Sequence, residues 1–280
     1  MKNKKISVLI NTFNEEKNIR NCLESVKWAD EIIIVDMFSE DNTVKIASEY
    51  TNKIFYFKRM GFADPARQFA LEKATNEWIL VVDADELITQ DLRKYLIKCI
   101  ENDEYDALWI PRKNYFFGEE MTGTGWGPSQ DKQMRFYKKK FMSYSDQIHK
   151  FVNLSSEARV SIIKDKNLNI IHFNYLSVEQ FIHKLNKYTT IEAKQLKNTD
   201  KVSTFRIFLI CIIEFLKRYF KRKGYKDGAT GFSLSILMTS YRASSLLKHN
   251  YLIKYNSDNI EDKVRNIYST IAKKAISGND

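Results

Sequence analysis

The nine-residue stretch Trp78-Ile79-Leu80-Val81-Val82-Asp83-Ala84-Asp85-Glu86 narrows the possible folds more than any other part of the chain. Five apolar residues in a row read as a strand buried on both faces, the pattern of a parallel sheet covered by helices. Three carboxylates follow within four positions. In an open α/β sheet that carboxyl edge is where ligands bind. Strand alternation places Asp83 and Asp85 on one side, with small Ala84 between them. Two such carboxylates repel unless a positive charge sits between them. A hard divalent cation that also bridges phosphate oxygens meets that need. The plainer reading is a cap for the helix predicted over 90–100. The neighbouring strands weigh against it, because they end in matching chemistry.

Ile6 to Ile10 reads as a short buried strand, followed by the polar turn Asn11-Thr12-Phe13-Asn14-Glu15-Glu16. Ile19, Cys22, Leu23 and Val26 then recur at helical spacing. Glu31 to Asp36 is a second strand that again ends in a carboxylate, and Ser39 to Thr43 supplies capping residues for a helix. Ile54 to Phe57 is a third strand, and Asp64-Pro65 opens a helix that carries Arg67. Strands alternating with helices predict a mostly parallel sheet with helices on both faces. Neither G-x-G-x-x-G nor G-x-x-x-x-G-K-[ST] occurs, which disfavours a dinucleotide site and a P-loop. Three cysteines without paired spacing, Cys22, Cys99 and Cys211, argue against a disulfide scaffold and a zinc site.

Four motifs in this order are more specific than any one alone. They are Asn-Thr-Phe-Asn-Glu-Glu at 11–16, Val-Asp-x-x-Ser-x-Asp-x-Thr at 35–43, Arg67 on a helix, and the Asp-Ala-Asp-Glu strand. Together they resemble the family 2 glycosyltransferases, above all a bacterial branch that includes lipopolysaccharide core β-1,4-glucosyltransferases. The resemblance is strong from residue 5 to about 100 and weaker to about 250. It implies an α/β fold of the GT-A type over 1–175, Rossmann-like, with a helical region over 176–280. It also implies inverting transfer of a hexose from a nucleotide-sugar donor, with UDP as the expected nucleotide. By the same resemblance, Thr12, Asn14 and Glu15 hold the nucleoside and Asp36 contacts the base. Arg67 lies near the diphosphate, Asp83 near the ribose and donor sugar, and Asp85 ligates Mn²⁺ or Mg²⁺. Phe38 and Asn42 stand where the family usually has small residues. Asn tolerates a left-handed backbone; Phe38 reshapes the pocket.

Residues 107–172 are expected to complete the sheet and form the acceptor side. Gly118, Gly123, Gly125 and Gly127 cluster around Trp126 and read as a flexible loop over the site. Trp126 on it offers either a sugar-stacking ring or a packing contact. An inverting transfer needs a base for the acceptor hydroxyl, worth about 10²–10⁴-fold. The resembling branch commonly has Val-His-Glu where this chain has Ile148-His149-Lys150, so the usual Glu is replaced by Lys. Asp146 becomes the first candidate base and Asp131, ahead of Arg135, the second; His149 is a base or a phosphate contact. Lys138-Lys139-Lys140 reads as a solvated turn. His172 is a candidate metal neighbour by resemblance and a packed strand-end histidine by ordinary expectation.

The net charge of +10 calls for an anionic partner, and its location decides which. Phe205 to Leu216 is apolar nearly all round, and Lys217, Arg218, Lys221, Arg222 and Lys223 follow at once. No apolar stretch reaches the ~20 residues of a membrane span. An interfacial helix on the anionic inner leaflet fits 205–223, with a buried helix and a solvated basic end as the bland alternative. Met1 to Lys5 leads into the first strand without an apolar leader segment, so the expected location is cytoplasmic, peripheral to the inner membrane. The expected partners are a nucleotide sugar, a glycan or glycolipid acceptor and that membrane surface, and not nucleic acid. A catalytically impaired GT-A-like binding protein is the alternative that Lys150 keeps open.

Overall fold

The computed structural model describes residues 5–58, 64–144, 153–196 and 199–277. The chain divides into two compact units, Met1–Met121 with Trp126–Asn174, and Thr122–Gly125 with Tyr175–Asp280.

In the first unit β1 (Ile6–Thr12), β2 (Glu31–Asp36), β3 (Ile54–Tyr56) and β4 (Trp78–Val81) lie parallel in the order β3-β2-β1-β4. Alternation along these strands divides the core. Val8, Ile10, Ile34, Trp78 and Leu80 pack on one face, and Leu9, Ile33, Val35, Ile79 and Val81 on the other. Onto the first face α1 (Ile19–Val26) lays Ile19, Cys22, Leu23 and Val26, and α2 (Thr43–Ala47) adds Ala47. Onto the second α3 (Asp64–Lys73) lays Ala66, Ala70 and Leu71. Then α4 (Gln90–Asn102) returns to the first with Leu92, Leu96, Cys99 and Ile100. Both faces of the parallel half are therefore covered, which is why its strands read as continuous apolar runs.

Beyond β4 the sheet is mixed. Its other strands are β5 (Glu86–Ile88), β6 (Ala107–Phe116), β7 (Glu119–Glu120), β8 (Lys132–Lys138), β11 (Val160–Ile162) and β12 (Ile170–Phe173). A separate two-stranded ribbon joins β9 (Met142–Ser143) to β10 (Asn153–Leu154). Strand β8 runs antiparallel between β4 and β6, and β12 joins β6 in parallel and β5 in antiparallel. The acidic run leaves β4 through a tight turn, with Glu86 N donating to Asp83 O at 2.9 Å. Asp83 and Asp85 are thus not alternate members of one strand, contrary to the expectation from pattern. They do not cap α4 either: Thr89 Oγ1 does so, accepting from Leu92 N at 3.2 Å.

The second unit is helical: α5 (Val178–Gln195), α6 (Thr204–Leu216), α7 (Gly228–Tyr255) and α8 (Ile260–Ser277). Arg242 to Glu192 (3.0 Å) and Lys248 to Asn186 Oδ1 (2.7 Å) join α7 to α5. Phe215 meets Phe232 edge-on, with ring centroids 5.9 Å apart, and joins α6 to α7. Segment 122–125 is fastened within this unit. Asp227 accepts from Thr122 N and Oγ1, Gly123 N and Thr124 Oγ1 at 2.7–3.0 Å. A Cβ on Gly123 would collide with the backbone carbonyl of Lys223. Glycine serves close packing there, so the expectation of a flexible loop is corrected. No helix among the described residues is long and apolar enough to cross a membrane.

Candidate active site

The loops that follow β1 and β2 are joined by short hydrogen bonds. Asn14 N donates to Ser39 Oγ (2.8 Å), Glu15 N to Thr43 Oγ1 (2.7 Å) and Glu16 N to Asp41 Oδ2 (3.1 Å). In return Glu40 N donates to Asn14 Oδ1 (2.8 Å) and Asn42 N to Glu16 Oε2 (3.1 Å). Asn14 takes a left-handed backbone at φ 55°, which Asn tolerates. Asp36 is fully buried, with Ser39 N on Oδ2 (2.8 Å) and Ser39 Oγ on Oδ1 (2.5 Å). Each carboxylate oxygen keeps a further lone pair. Thr12 Oγ1 and Asn11 Oδ1 are buried at this edge and meet no hydrogen-bond partner among the described residues. Thr12, Asn14, Glu15 and Asp36 thus gather at the carboxyl ends of two neighbouring parallel strands.

Phe38 has φ 62°, a backbone region that costs a β-carbon-bearing residue roughly 1–2 kcal/mol. Its ring stacks on Tyr56 with centroids 5.5 Å apart, and both rings are exposed.

The two carboxylates of the Asp-Ala-Asp turn take different partners. Asp83 is bound by Arg67 Nη2 from α3 (2.9 Å) and by Arg135 Nη2 from β8. Burial by itself would push its carboxyl up, but the Arg135 and Arg67 guanidiniums outweigh burial and hold it well below the usual carboxylate range. Asp85 Oδ2 lies 3.5 Å from His172 Nε2 on β12. Glu86, fully buried, accepts from Arg135 Nη2 (3.1 Å) and Arg112 Nη1 (3.3 Å) on Oε1, and from Asp83 N (3.0 Å) on Oε2.

Asp131 lies at the other side of the same network. Its Oδ2 accepts from Arg112 Nε (2.9 Å) and Nη2 (2.8 Å) and from Asn114 Nδ2 (2.8 Å), and its Oδ1 from Gln133 Nε2 (2.9 Å). Asn114 Oδ1 meets His172 Nδ1 at 2.6 Å. Two chains of contacts therefore run from Asp131 to the acidic turn. One passes through Arg112, Glu86 and Arg135 to Asp83; the other passes through Asn114 and His172 to Asp85.

The family model for glycosyl transferase family 2 matches residues 7–165, more than half of the chain. The chain belongs to the family 2 glycosyltransferases. An uncharacterized glycosyltransferase of Rickettsia typhi is 32% identical, with 97% of each chain covered. The lipopolysaccharide core biosynthesis glycosyltransferase LpsC of Rhizobium meliloti is 28% identical over 81% of this chain and 85% of that one. Among solved structures, TarS 1–349 of S. aureus is similar over 90% of this chain and 91% of that one, at 18% identity and a TM-score of 0.47. The mixed sheet with helices on both faces, followed by helices, is the α/β GT-A arrangement.

Among the described residues of this glycosyltransferase no three His, Cys, Asp or Glu side chains converge as a ready metal cluster. Asp85 and His172 nonetheless form a suitable pair of donors for Mn²⁺ or Mg²⁺. There a carboxylate oxygen faces a ring nitrogen at 3.5 Å. Asp83 is committed to arginine and does not join them. Asp146 and His149 lie outside the described residues. Trp126 packs against buried Phe116, ring centroids 4.8 Å apart, which favours the packing role. Glu86, Arg112, Asn114 and Arg135 were not expected in the site. The available signals were the third carboxylate of the turn and charged or amide residues inside apolar strands.

Proposed function

We propose that this glycosyltransferase moves a hexose from a UDP-sugar to a hydroxyl of a lipid-linked, lipopolysaccharide-type or capsule-type glycan, with inversion and with a divalent cation. The observation that carries the reading is the division of labour in the acidic turn. Asp85 faces a histidine nitrogen, while Asp83 two residues away is neutralised by two arginines. The paired loops after β1 and β2 hold the nucleoside, with Thr12, Asn14, Glu15 and Asp36 in the roles the family resemblance implies. Asp83, held by Arg67 and Arg135, borders the ribose and donor sugar. Bound at Asp85 and His172, Mn²⁺ or Mg²⁺ would neutralise charge on the departing diphosphate. The acceptor oxygen attacks the anomeric carbon as the bond to the β-phosphate oxygen breaks, and the hydroxyl proton passes to a carboxylate. Asp131 suits that role, because its Oδ2 is taken up by Arg112 and Asn114 while its Oδ1 keeps a lone pair beside Gln133. The acceptor class rests on the likeness to LpsC.

The membrane surface is part of the same reading. On α6 the side chains of Phe205, Phe208 and Ile213 are exposed, as is Phe220 just beyond it. Lys217, Lys221 and Lys223 are exposed in the segment that follows, each worth roughly 1 kcal/mol near an anionic leaflet. Arg218, grouped with these on sequence, turns inward to Glu214 Oε1 (2.6 Å) and Thr124 O (3.1 Å) and leaves the basic face. Phosphatidylglycerol vesicles should retain the protein in a salt-sensitive way, phosphatidylcholine vesicles should not, and Phe205→Ser with Phe208→Ser should abolish retention.

The donor reading is tested by thermal stability with UDP, with and without Mn²⁺, for the wild type and Asp85→Asn. Stabilisation by the UDP–Mn²⁺ pair that is lost in Asp85→Asn supports the reading. No response of the wild type to UDP with Mn²⁺, alongside a response to GDP, would move the donor class to guanosine sugars.

A further inference from the structure

Asn114 is fully buried on β6 and all its hydrogen-bonding groups are engaged. Its Nδ2 lies 2.8 Å from Trp126 O and 2.8 Å from Asp131 Oδ2, two groups that only accept. That fixes which end of the amide is nitrogen. Its Oδ1, which can only accept, therefore faces His172 Nδ1 at 2.6 Å, and Nδ1 must carry the proton. In the neutral ring the lone pair then falls on Nε2, the nitrogen 3.5 Å from Asp85 Oδ2. One side chain thus sets the tautomer of a residue beside Asp85 and holds the carboxylate of Asp131.

We infer that Asn114 is a positioning residue that couples the two halves of the transfer site, an inference that rests on the proposed metal-dependent transfer. Through Oδ1 it presents His172 Nε2 toward Asp85 as a ligand. Through Nδ2 it holds Asp131 Oδ2, so that Oδ1 is the oxygen left to take the acceptor proton. A partner that orients a ligating histidine commonly matters to metal affinity as much as a ligand contact does. The two ends of the amide make separate contributions, and substitutions can separate them.

Asn114→Leu removes both ends. Mn²⁺ affinity in the presence of UDP, read by calorimetry, should fall by roughly 10–100-fold, and turnover should fall with it. Asn114→Asp keeps an acceptor for His172 but removes the donor to Asp131 and sets a like charge against it. Mn²⁺ affinity should be unchanged or tighter, while kcat falls and the donor KM stays near the wild-type value. A merely structural role would lower the folded fraction of both variants and leave the Mn²⁺ affinity of the folded protein unmoved. If Asn114→Leu does not fold, Asn114→Ser carries the same expectation in a smaller, wettable side chain. Wild-type affinity in Asn114→Leu or Asn114→Ser overturns the inference, as does loss of Mn²⁺ affinity in Asn114→Asp. A wild type that takes up no Mn²⁺ with UDP overturns the metal reading and this inference together.

Discussion

Replacing Glu86 by Gln tests whether the charges around the acidic turn act as one buried network. Arg67, Arg112 and Arg135 face Asp83, Glu86 and Asp131, three positive groups against three negative. Glu86 is their fully buried centre. Gln keeps the shape but removes one charge and turns one acceptor oxygen into a donor. Its remaining oxygen can serve Asp83 N or the two guanidiniums, not both. A buried donor left without an acceptor costs about 1–3 kcal/mol. Removing one partner from a buried ion pair costs about 3–5 kcal/mol. These describe the same loss and do not add. Asp83 is 30% exposed, so water relieves part of the imbalance, and the expected destabilisation is near the lower bound, about 3 kcal/mol.

Urea unfolding followed by tryptophan fluorescence isolates the effect. The chain has four tryptophans, Trp28, Trp78, Trp109 and Trp126, and all belong to the first unit. The midpoint should fall with the slope unchanged. Arg20→Ala serves as the control: the Arg20–Glu49 pair is bidentate but half-exposed on both sides, so its midpoint should not move. A loss below about 1 kcal/mol in Glu86→Gln would place the network with screened surface pairs and refute the reasoning.

Three further outcomes are expected. Asp131→Asn should lower kcat by about 10²–10⁴-fold while leaving UDP–Mn²⁺ binding in place, as rapid-quench and calorimetric measurements would read. Acid should destabilise the first unit in a defined window. Glu31 is held at about 2 against an ordinary 4.5: burial opposes the shift, and hydrogen bonds from Lys53, Ser7 and Thr75 outweigh it. Asp83 and Asp106 are lowered too. A depressed folded value means that the unfolded chain binds more protons, so this stability is complete above about pH 4.5 and is lost as pH falls toward 2. Urea midpoints measured across that range should slope downward with acid, and Glu31→Gln should flatten the slope. Finally, Asp227→Ala should release segment 122–125, seen as faster limited proteolysis there; an unchanged cleavage rate would count against the clamp.

The parallel half of the fold was legible because each strand is a short apolar run that ends in polar residues, and the helices between them keep a clean period. That logic also located Thr12, Asp36 and Asp83 at one edge. It did not reveal partners. Lys138 read as part of a solvated lysine turn, yet it lies on β8, buried between Asp103 (2.7 Å) and Asp106 (2.7 Å). Those carboxylates stand more than thirty positions earlier, where no local pattern links them. The glycines at 123 and 125 read as freedom, and the structure uses their lack of a side chain to bring backbone against residues 222 and 223. In both cases the decisive contact is distant in sequence.

The acidic turn illustrates the same point chemically. Two aspartates separated by one alanine looked equivalent and mutually repulsive, a pair in need of a shared cation. The turn closed by Glu86 N and Asp83 O gives them different surroundings. Asp83 meets its positive charge from Arg67 and Arg135, which arrive on α3 and β8. Asp85 meets a histidine nitrogen on β12, whose other ring nitrogen faces Asn114 Oδ1. The charge of Asp83 is therefore met within the protein itself. Asp85 and His172 thus turn their donor atoms toward each other, while Arg67 and Arg135 are engaged by Asp83 and Glu86. Keeping the Asp85–His172 pair apart from the guanidinium groups depends on the antiparallel strand β8, which carries Arg135 to the edge of β4, and on Glu86, whose Oε1 accepts from Arg135 Nη2.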